Sequence, residues 1–278
     1  MRQLSKLIIK GKTMGDKALL IGINRYKDSP LNGCVNDIND MANLLVGKYR
    51  FKPDNIRLLA DERATTAGIK DRLNWLVDVG GKDRCFFHYS GHGAQYPSRN
   101  YKQELDGKLE ICCPVEFDWT EQHMITDKYF VGIFSKIPGG VKFNWVSDSC
   151  HSGDLTRDIG EPNGITIQIP RAYPVPVDIA WRHKGQGSKK MTNRKIYNGV
   201  LDVGFISGCR SDQTSADTTI NKRWNGALTH FLIDSLKRLP VNTALSKIVA
   251  DTTNNLIRNR YSQRPQVEGL RSKMPLFG

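Results

Sequence analysis

The chain has 278 residues, 39% hydrophobic and 25% charged, with a formal net charge of +13. That balance excludes a disordered or fibrous protein and leaves enough chain for a substantial core, while no run approaches the roughly 18 apolar residues of a membrane span. The cysteines are Cys34, Cys85, Cys112, Cys113, Cys150 and Cys209; their spacing contains no C-x-x-C and no dense framework, so neither a zinc site nor a disulfide scaffold is indicated.

The first residues carry positive charge but only a short apolar patch at Leu7 to Ile9, too short for a secretory core. Residues 1–16 read as a short extension, and the expected location is cytoplasmic. "KALLIGIN" at 17–24 is a short apolar run, the mark of a strand buried on both faces. In "NDINDMANLLVGKY", Ile38, Met41, Ala42 and Leu45 recur at helical spacing. "NIRLLA" at 55–60 predicts a strand, "TAGIKDRLNWLVDV" at 66–79 a helix and "DRCFFHYS" at 83–90 a strand. "LEICCPVEF" at 109–117 predicts another strand, "DKYFVGIFSKI" a helix and "VKFNWVSD" a further strand.

From about 155 to 200 the pattern fails, and residues 181–195 hold six Lys or Arg and no acid, the composition of a solvated loop. "LDVGFISGC" then predicts a strand, and "RWNGALTHFLIDSLKRL" and "ALSKIVADTTNNLIRNR" predict helices. Alternating strands and helices imply right-handed crossovers and an α/β fold, with a mostly parallel central sheet covered by helices on both faces. The basic residues are spread along the chain without a basic-aromatic motif, so nucleic acid is not the expected partner despite the charge.

In open parallel sheets, function gathers at the carboxyl ends of the strands. "FFHYSGHGAQ" delivers His92 there and "FNWVSDSCHSG" delivers Cys150, each in a glycine-bearing turn that lets backbone amides approach a ligand. A thiol becomes a useful nucleophile beside a base. His151 is adjacent to Cys150 and expected to point elsewhere, His88 lies within its strand as a core residue, and His123, His183 and His230 lack supporting context.

"YSGHGAQ" at 89–95 and "DSCHSG" at 148–153 resemble the two catalytic signatures of the caspase-like cysteine peptidases, in their metacaspase and orthocaspase branch. "ALLIGINRYKDSPLNGCVNDINDMANLL", "ISGCRSDQTSAD", "GALTHFLIDSL", "QRPQVEG" and "PLFG" resemble further parts of that branch in the right order, so the likeness runs from 17 to 278. It implies a caspase-like fold in one peptidase domain: a large-subunit-like part about 17–180, the basic loop about 181–195 and a small-subunit-like part about 196–278. It also implies that Cys150 attacks a peptide carbonyl, that His92 is the general base and acid, and that the amides of Gly93 and Cys150 form the oxyanion hole. No third triad member is expected.

The same resemblance implies a primary pocket of Cys34, Asp37, Ser90 and Asp148. Read without it, Asp37 is a helix N-cap and Asp148 a polar strand end; read with it, two carboxylates await a cationic side chain, predicting cleavage after Arg or Lys. The family's self-cleavage makes Arg182, Lys184, Lys189, Lys190, Arg194 and Lys195 candidate sites in the basic loop. No cofactor is expected to be required. Calcium activation, which the family implies through Asp106 and Asp127, is opposed by Lys128 and Arg157, with Asp154 or Asp158 as substitutes. The expected partners are protein or peptide substrates, with no membrane, and the expected state is a monomer. The rival reading is a catalytically silent caspase-fold scaffold acting through its basic surface. The intact Cys150 and His92 count against it, as the two aspartates count against cleavage after Asn or Asp.

Overall fold

A computed structural model describes residues 15–97, 108–150, 168–173, 175–182, 203–210 and 213–278. The chain enters on β1 (Lys17–Gly22), α1 (Cys34–Gly47), β2 (Ile56–Ala60), α2 (Thr66–Val77) and β3 (Arg84–Ser90). There follow β4 (Gly93–Pro97), β5 (Lys108–Cys112), β6 (Ile125–Thr126), α3 (Asp127–Phe134) and β7 (Lys142–Asp148). The remaining elements are β8 (Gln168–Pro170), α4 (Val177–Arg182), β9 (Val203–Ser207), β10 (Ala216–Ile220), β11 (Arg223–Gly226), α5 (Ala227–Arg238), α6 (Leu245–Arg258) and β12 (Gln266–Glu268).

The central sheet runs β12-β9-β7-β3-β1-β2. Its five longer strands are parallel and only β12 runs against its neighbour β9. The apolar runs are continuous because both faces are buried. In register across the sheet, Leu19, Phe87, Trp145 and Phe205 lie side by side and face α2 and α3, in one core with Ile69, Leu73, Phe130 and Phe134. The alternate residues Leu20, Phe86, Val146 and Ile206 enter the opposite core with α1, α5 and α6, through Ile38, Met41, Leu232 and Ile248. That alternation is the period of two that a pleated strand imposes. Thr65 and Thr126 start α2 and α3 by accepting hydrogen bonds from the Gly68 and Tyr129 amides.

Three segments depart from the sequence-based expectation. "LEICCPVEF" does form a strand, β5, but it pairs with β4 and β6 in a separate small sheet. "RWNG" is the strand β11 rather than the first turn of a helix: it pairs antiparallel with β10, and α5 begins only at Ala227. The irregular stretch after residue 155 contributes β8, antiparallel to β10 in a second small sheet.

Candidate active site

The site is assembled by the register of two neighbouring strands. β3 and β7 pair in parallel with Ser90 opposite Asp148, so the turns that leave them place His92 and Cys150 at corresponding positions, each two residues beyond a pocket residue. Both side chains are buried, at 0% and 1% exposure. The turn after β3 needs glycine at 91, because a Cβ there would collide with the hydroxyls of Tyr26 and Tyr89. Tyr26 is tied in turn to His92, whose amide donates to the Tyr26 hydroxyl at 3.0 Å.

His92 Nε2 lies 2.7 Å from the carbonyl oxygen of Ser29. A carbonyl only accepts, so Nε2 carries the proton and Nδ1 keeps its lone pair. Among the described residues Nδ1 has no hydrogen-bond partner. Burial pushes the imidazole down to about 4, which keeps it neutral and able to take a proton near neutrality. The Cys150 thiol receives the Ser215 amide and approaches the Gln213 carbonyl at 3.4 Å. Cys209 donates to the same Gln213 carbonyl at 3.2 Å.

The residues expected of a primary pocket, Cys34, Asp37, Ser90 and Asp148, lie together and wholly buried. Asp37 stands in the first turn of α1, but the N-cap position belongs to Gly33, with no side-chain cap. The Asp37 carboxylate instead accepts from the Ser90 hydroxyl at 2.8 Å, the Gly226 amide at 2.9 Å and Asn225 Nδ2 at 3.1 Å. Asp148 accepts from the Ser215 hydroxyl at 2.6 Å, the Thr229 amide at 2.9 Å and the Thr229 hydroxyl at 2.7 Å. The Cys34 thiol, pushed well above its ordinary value by burial, lies in the field of Asp37 and of two residues the sequence did not single out, Asp217 and Arg171.

Those two complete the pocket. Arg171 follows β8 and is wholly buried. Its guanidinium reaches Asp37 at 2.8 Å, Asp217 at 2.8 Å and Asp148 at 3.2 Å, and donates to the Ser90 hydroxyl at 2.8 Å. Asp217, on β10, is aimed by the Asn32 and Gly33 amides, at 2.7 and 3.0 Å. Burial pushes the Asp37 carboxyl up and the guanidinium pulls it back, so Asp37 relies on a cation in this pocket to stay ionised. One wall is Gly226, where a Cβ would overlap Asp148 and the Arg171 guanidinium.

The backbone of Arg171 is engaged as well. Its carbonyl oxygen accepts from the Cys150 amide at 3.1 Å and the Gly93 amide at 3.0 Å, the two donors expected of an oxyanion hole. Its own amide donates to the Ser215 carbonyl at 3.0 Å.

Of the remaining expected residues, Asp127 opens α3 and accepts from the Lys128 amide at 2.8 Å. Asp106, Asp154, Arg157 and Asp158 lie outside the described residues, as do Lys184, Lys189, Lys190, Arg194 and Lys195, while Arg182 is the last residue of α4. Among the described residues no three or more His, Cys, Asp or Glu side chains gather as a metal site, and no helix is long and apolar enough to cross a membrane. His88 is wholly buried in β3 beside the Thr229 hydroxyl, as its place in the strand implied.

Comparison with known proteins points to one family. Residues 16–157 match the family model described as metacaspase, peptidase C14 domain. The chain is 31% identical to Metacaspase-1 of Meyerozyma guilliermondii over 90% of its own length and 68% of that protein's. It is 30% identical to Metacaspase-1 of Arabidopsis thaliana over 87% of its length and 65% of the relative's. Among solved structures, a Geobacter sulfurreducens protein superposes with a TM-score of 0.63 at 24% identity, covering 92% of this chain and 94% of that one. Caspase-1 of Spodoptera frugiperda superposes with a TM-score of 0.60 at 10% identity, covering 96% and 90%, a likeness of fold alone.

Proposed function

The chain belongs to the metacaspase family of caspase-like peptidases, and from that premise we propose that it is a cysteine endopeptidase cutting after basic residues through Cys150 and His92. One observation carries the specificity: an arginine sits with its guanidinium among Asp37, Asp148 and Asp217 while its carbonyl oxygen rests on the amides of Cys150 and Gly93. A substrate residue bound in that way presents its carbonyl carbon to the thiol.

In the reaction Cys150 Sγ attacks this carbon and its proton passes to His92 Nδ1. The oxyanion that forms accepts hydrogen bonds from Gly93 and Cys150, donors fixed in place by the strand ends before any charge develops. His92 then protonates the leaving amine, and water attacks the thioester and regenerates the thiol. The Ser29 carbonyl holds the imidazole in the tautomer that leaves Nδ1 free for both transfers. It does for orientation what a third side chain does in other hydrolases.

The pocket favours Arg over Lys. A guanidinium spreads its donors over a planar fork and can meet three acids and Ser90 at once, whereas an ammonium is a compact charge with three donors on a shorter stem. The test is hydrolysis of matched fluorogenic peptides ending in Arg, Lys, Asp or Asn by the wild type and Cys150→Ala. Cleavage after Arg, slower cleavage after Lys and none in the variant are expected. Silence in every arm would overturn the peptidase reading and return the scaffold alternative.

A further inference from the structure

We propose that the site also reads its substrates beyond the scissile bond, through an aromatic pocket that takes a Tyr or Phe side chain at the second residue after the cut. This rests on the peptidase reading above and narrows its substrates to an arginine followed, two places after the cut, by an aromatic ring.

The chain itself displays how a peptide lies on the leaving side of the cleft. With the Arg171 carbonyl oxygen on the amides of Cys150 and Gly93, the next two residues occupy the places that follow a scissile bond. Ala172 bridges in parallel to Gly93, and the Tyr173 amide donates to the Gly93 carbonyl at 2.8 Å. Gly93 thus supplies an oxyanion donor with its amide and holds the second leaving-side residue with its carbonyl. That double use fixes the register. A peptide whose carbonyl rests on the oxyanion donors brings the side chain two residues later to where the Tyr173 ring lies.

That place is walled by rings. Tyr173 is 5% exposed. Its centroid lies 5.2 Å from Phe117, 5.2 Å from His92, 5.8 Å from Tyr26 and 6.4 Å from Trp119, each pair edge to face. Ring pairs in that arrangement at roughly 4.5–7 Å gain beyond the apolar area they bury. Burial raises the Tyr173 phenol above its ordinary value, and the charge of Asp28 raises it further. A carboxylate at this place would lose its water and meet a like charge.

The outer wall is built in advance. Trp119 stands in the left-handed region at φ 68°, where a bulky residue is an outlier. The turn around it is pinned by the Asp118 carboxylate, which accepts from the Thr120 amide at 3.0 Å and the Thr120 hydroxyl at 2.6 Å. Phe117 and Trp119 pack together at 4.9 Å. On the inner side Tyr26 lies 4.7 Å from the His92 ring while its hydroxyl accepts from the His92 amide. A ring buried only to fill the core would need no tie between its amide and the loop of the oxyanion donors. Backbone strain held in place beside the reacting groups is the mark of a functional wall.

The experiment measures kcat/KM on internally quenched peptides Gln-Ile-Pro-Arg-Ala-X with a common tail, X being Tyr, Phe, Ala, Asp or Pro, and locates the cut by mass. Tyr and Phe should exceed Ala at least tenfold. Asp should fall below Ala, and Pro, which has no amide hydrogen for the Gly93 carbonyl, should fall at least tenfold below it. Trp119→Ala should bring the Tyr-to-Ala ratio under threefold, and Trp119→Phe should restore most of it. A purely structural role would lower every peptide alike and leave the ratio unmoved. If Trp119→Ala does not fold, Phe117→Leu takes its place. Rates within threefold for Tyr, Phe and Ala in the wild type, or a Tyr preference that the wall variant leaves intact, would overturn the inference and leave the peptidase reading standing. Silence with every X would overturn both.

Discussion

Asp217 is the acid of the pocket that the sequence did not single out, and Asp217→Asn is the sharpest test of how the pocket reads charge. The substitution keeps the shape of the side chain and removes one of three charges facing the guanidinium, at a contact of 2.8 Å. Two unit charges about 4 Å apart at an effective dielectric of about 20 attract by roughly 4 kcal/mol before desolvation is subtracted. Removing one partner of such a buried, hydrogen-bonded pair costs about 2–5 kcal/mol, which at about 1.4 kcal/mol per tenfold is a loss of roughly 30- to 4,000-fold. The measurement is kcat/KM on an Arg-ending peptide, with the thermal midpoint recorded alongside. A loss below threefold with the fold intact would refute the assignment of Asp217 to substrate charge.

Other consequences follow from neighbouring contacts. Gly226→Ala puts a methyl where the guanidinium and the buried Asp148 carboxylate lie, so cleavage after Arg should be lost and the melting temperature should fall, read by the same peptide assay and a thermal scan. Peptides ending in Arg should exceed those ending in Lys by at least about tenfold in kcat/KM, the worth of one or two extra charge-assisted hydrogen bonds. Rates should be equal with calcium and with excess chelator; a rate that collapses in chelator would place ligands around Asp106 and Asp127. Burial holds His88 at about 4 in the folded protein against 6.5 as its ordinary value, so the unfolded chain takes up that proton first as pH falls. The stability this imidazole contributes is therefore present above pH 6.5 and lost toward pH 4. At pH 5 the loss is about 2 kcal/mol. In the Cys150→Ala background, His88→Gln should abolish that share of the acid destabilisation between pH 7 and 5 in urea unfolding, and an unchanged difference would show that His88 is not held neutral.

The chemistry at the strand ends was legible because β3 and β7 are buried on both faces. Their unbroken apolar runs mark where each strand stops, so His92 and Cys150 could be placed before any contact was known, while Ser90 and Asp148 came from the family resemblance. Arg171 was not legible. It sits in "IPRAYP", where prolines break every periodic signal, and its strand of three residues exists only through pairing with β10, more than forty residues later. Ser29 acts through a backbone carbonyl, which no side-chain pattern records. Asp217 reads as an ordinary strand residue in "SADTTI" until the turn at Asn32 and Gly33 is folded against it. β11 was taken into the following helix because four residues are too few to show alternation beside the twelve of α5.

β8 completes a three-stranded sheet by lying along the edge of β10. A substrate bound as Arg171 is bound would take that place, and must supply a strand of its own, with at least three extended residues ahead of the scissile bond and two beyond it. A helix cannot satisfy those backbone partners, and neither can an arginine on a rigid folded surface. On the proposed function the protease should therefore select its targets by local order before it reads their sequence: stable domains should pass untouched even when rich in arginine, and cuts should fall in linkers, tails and segments that are already unfolding.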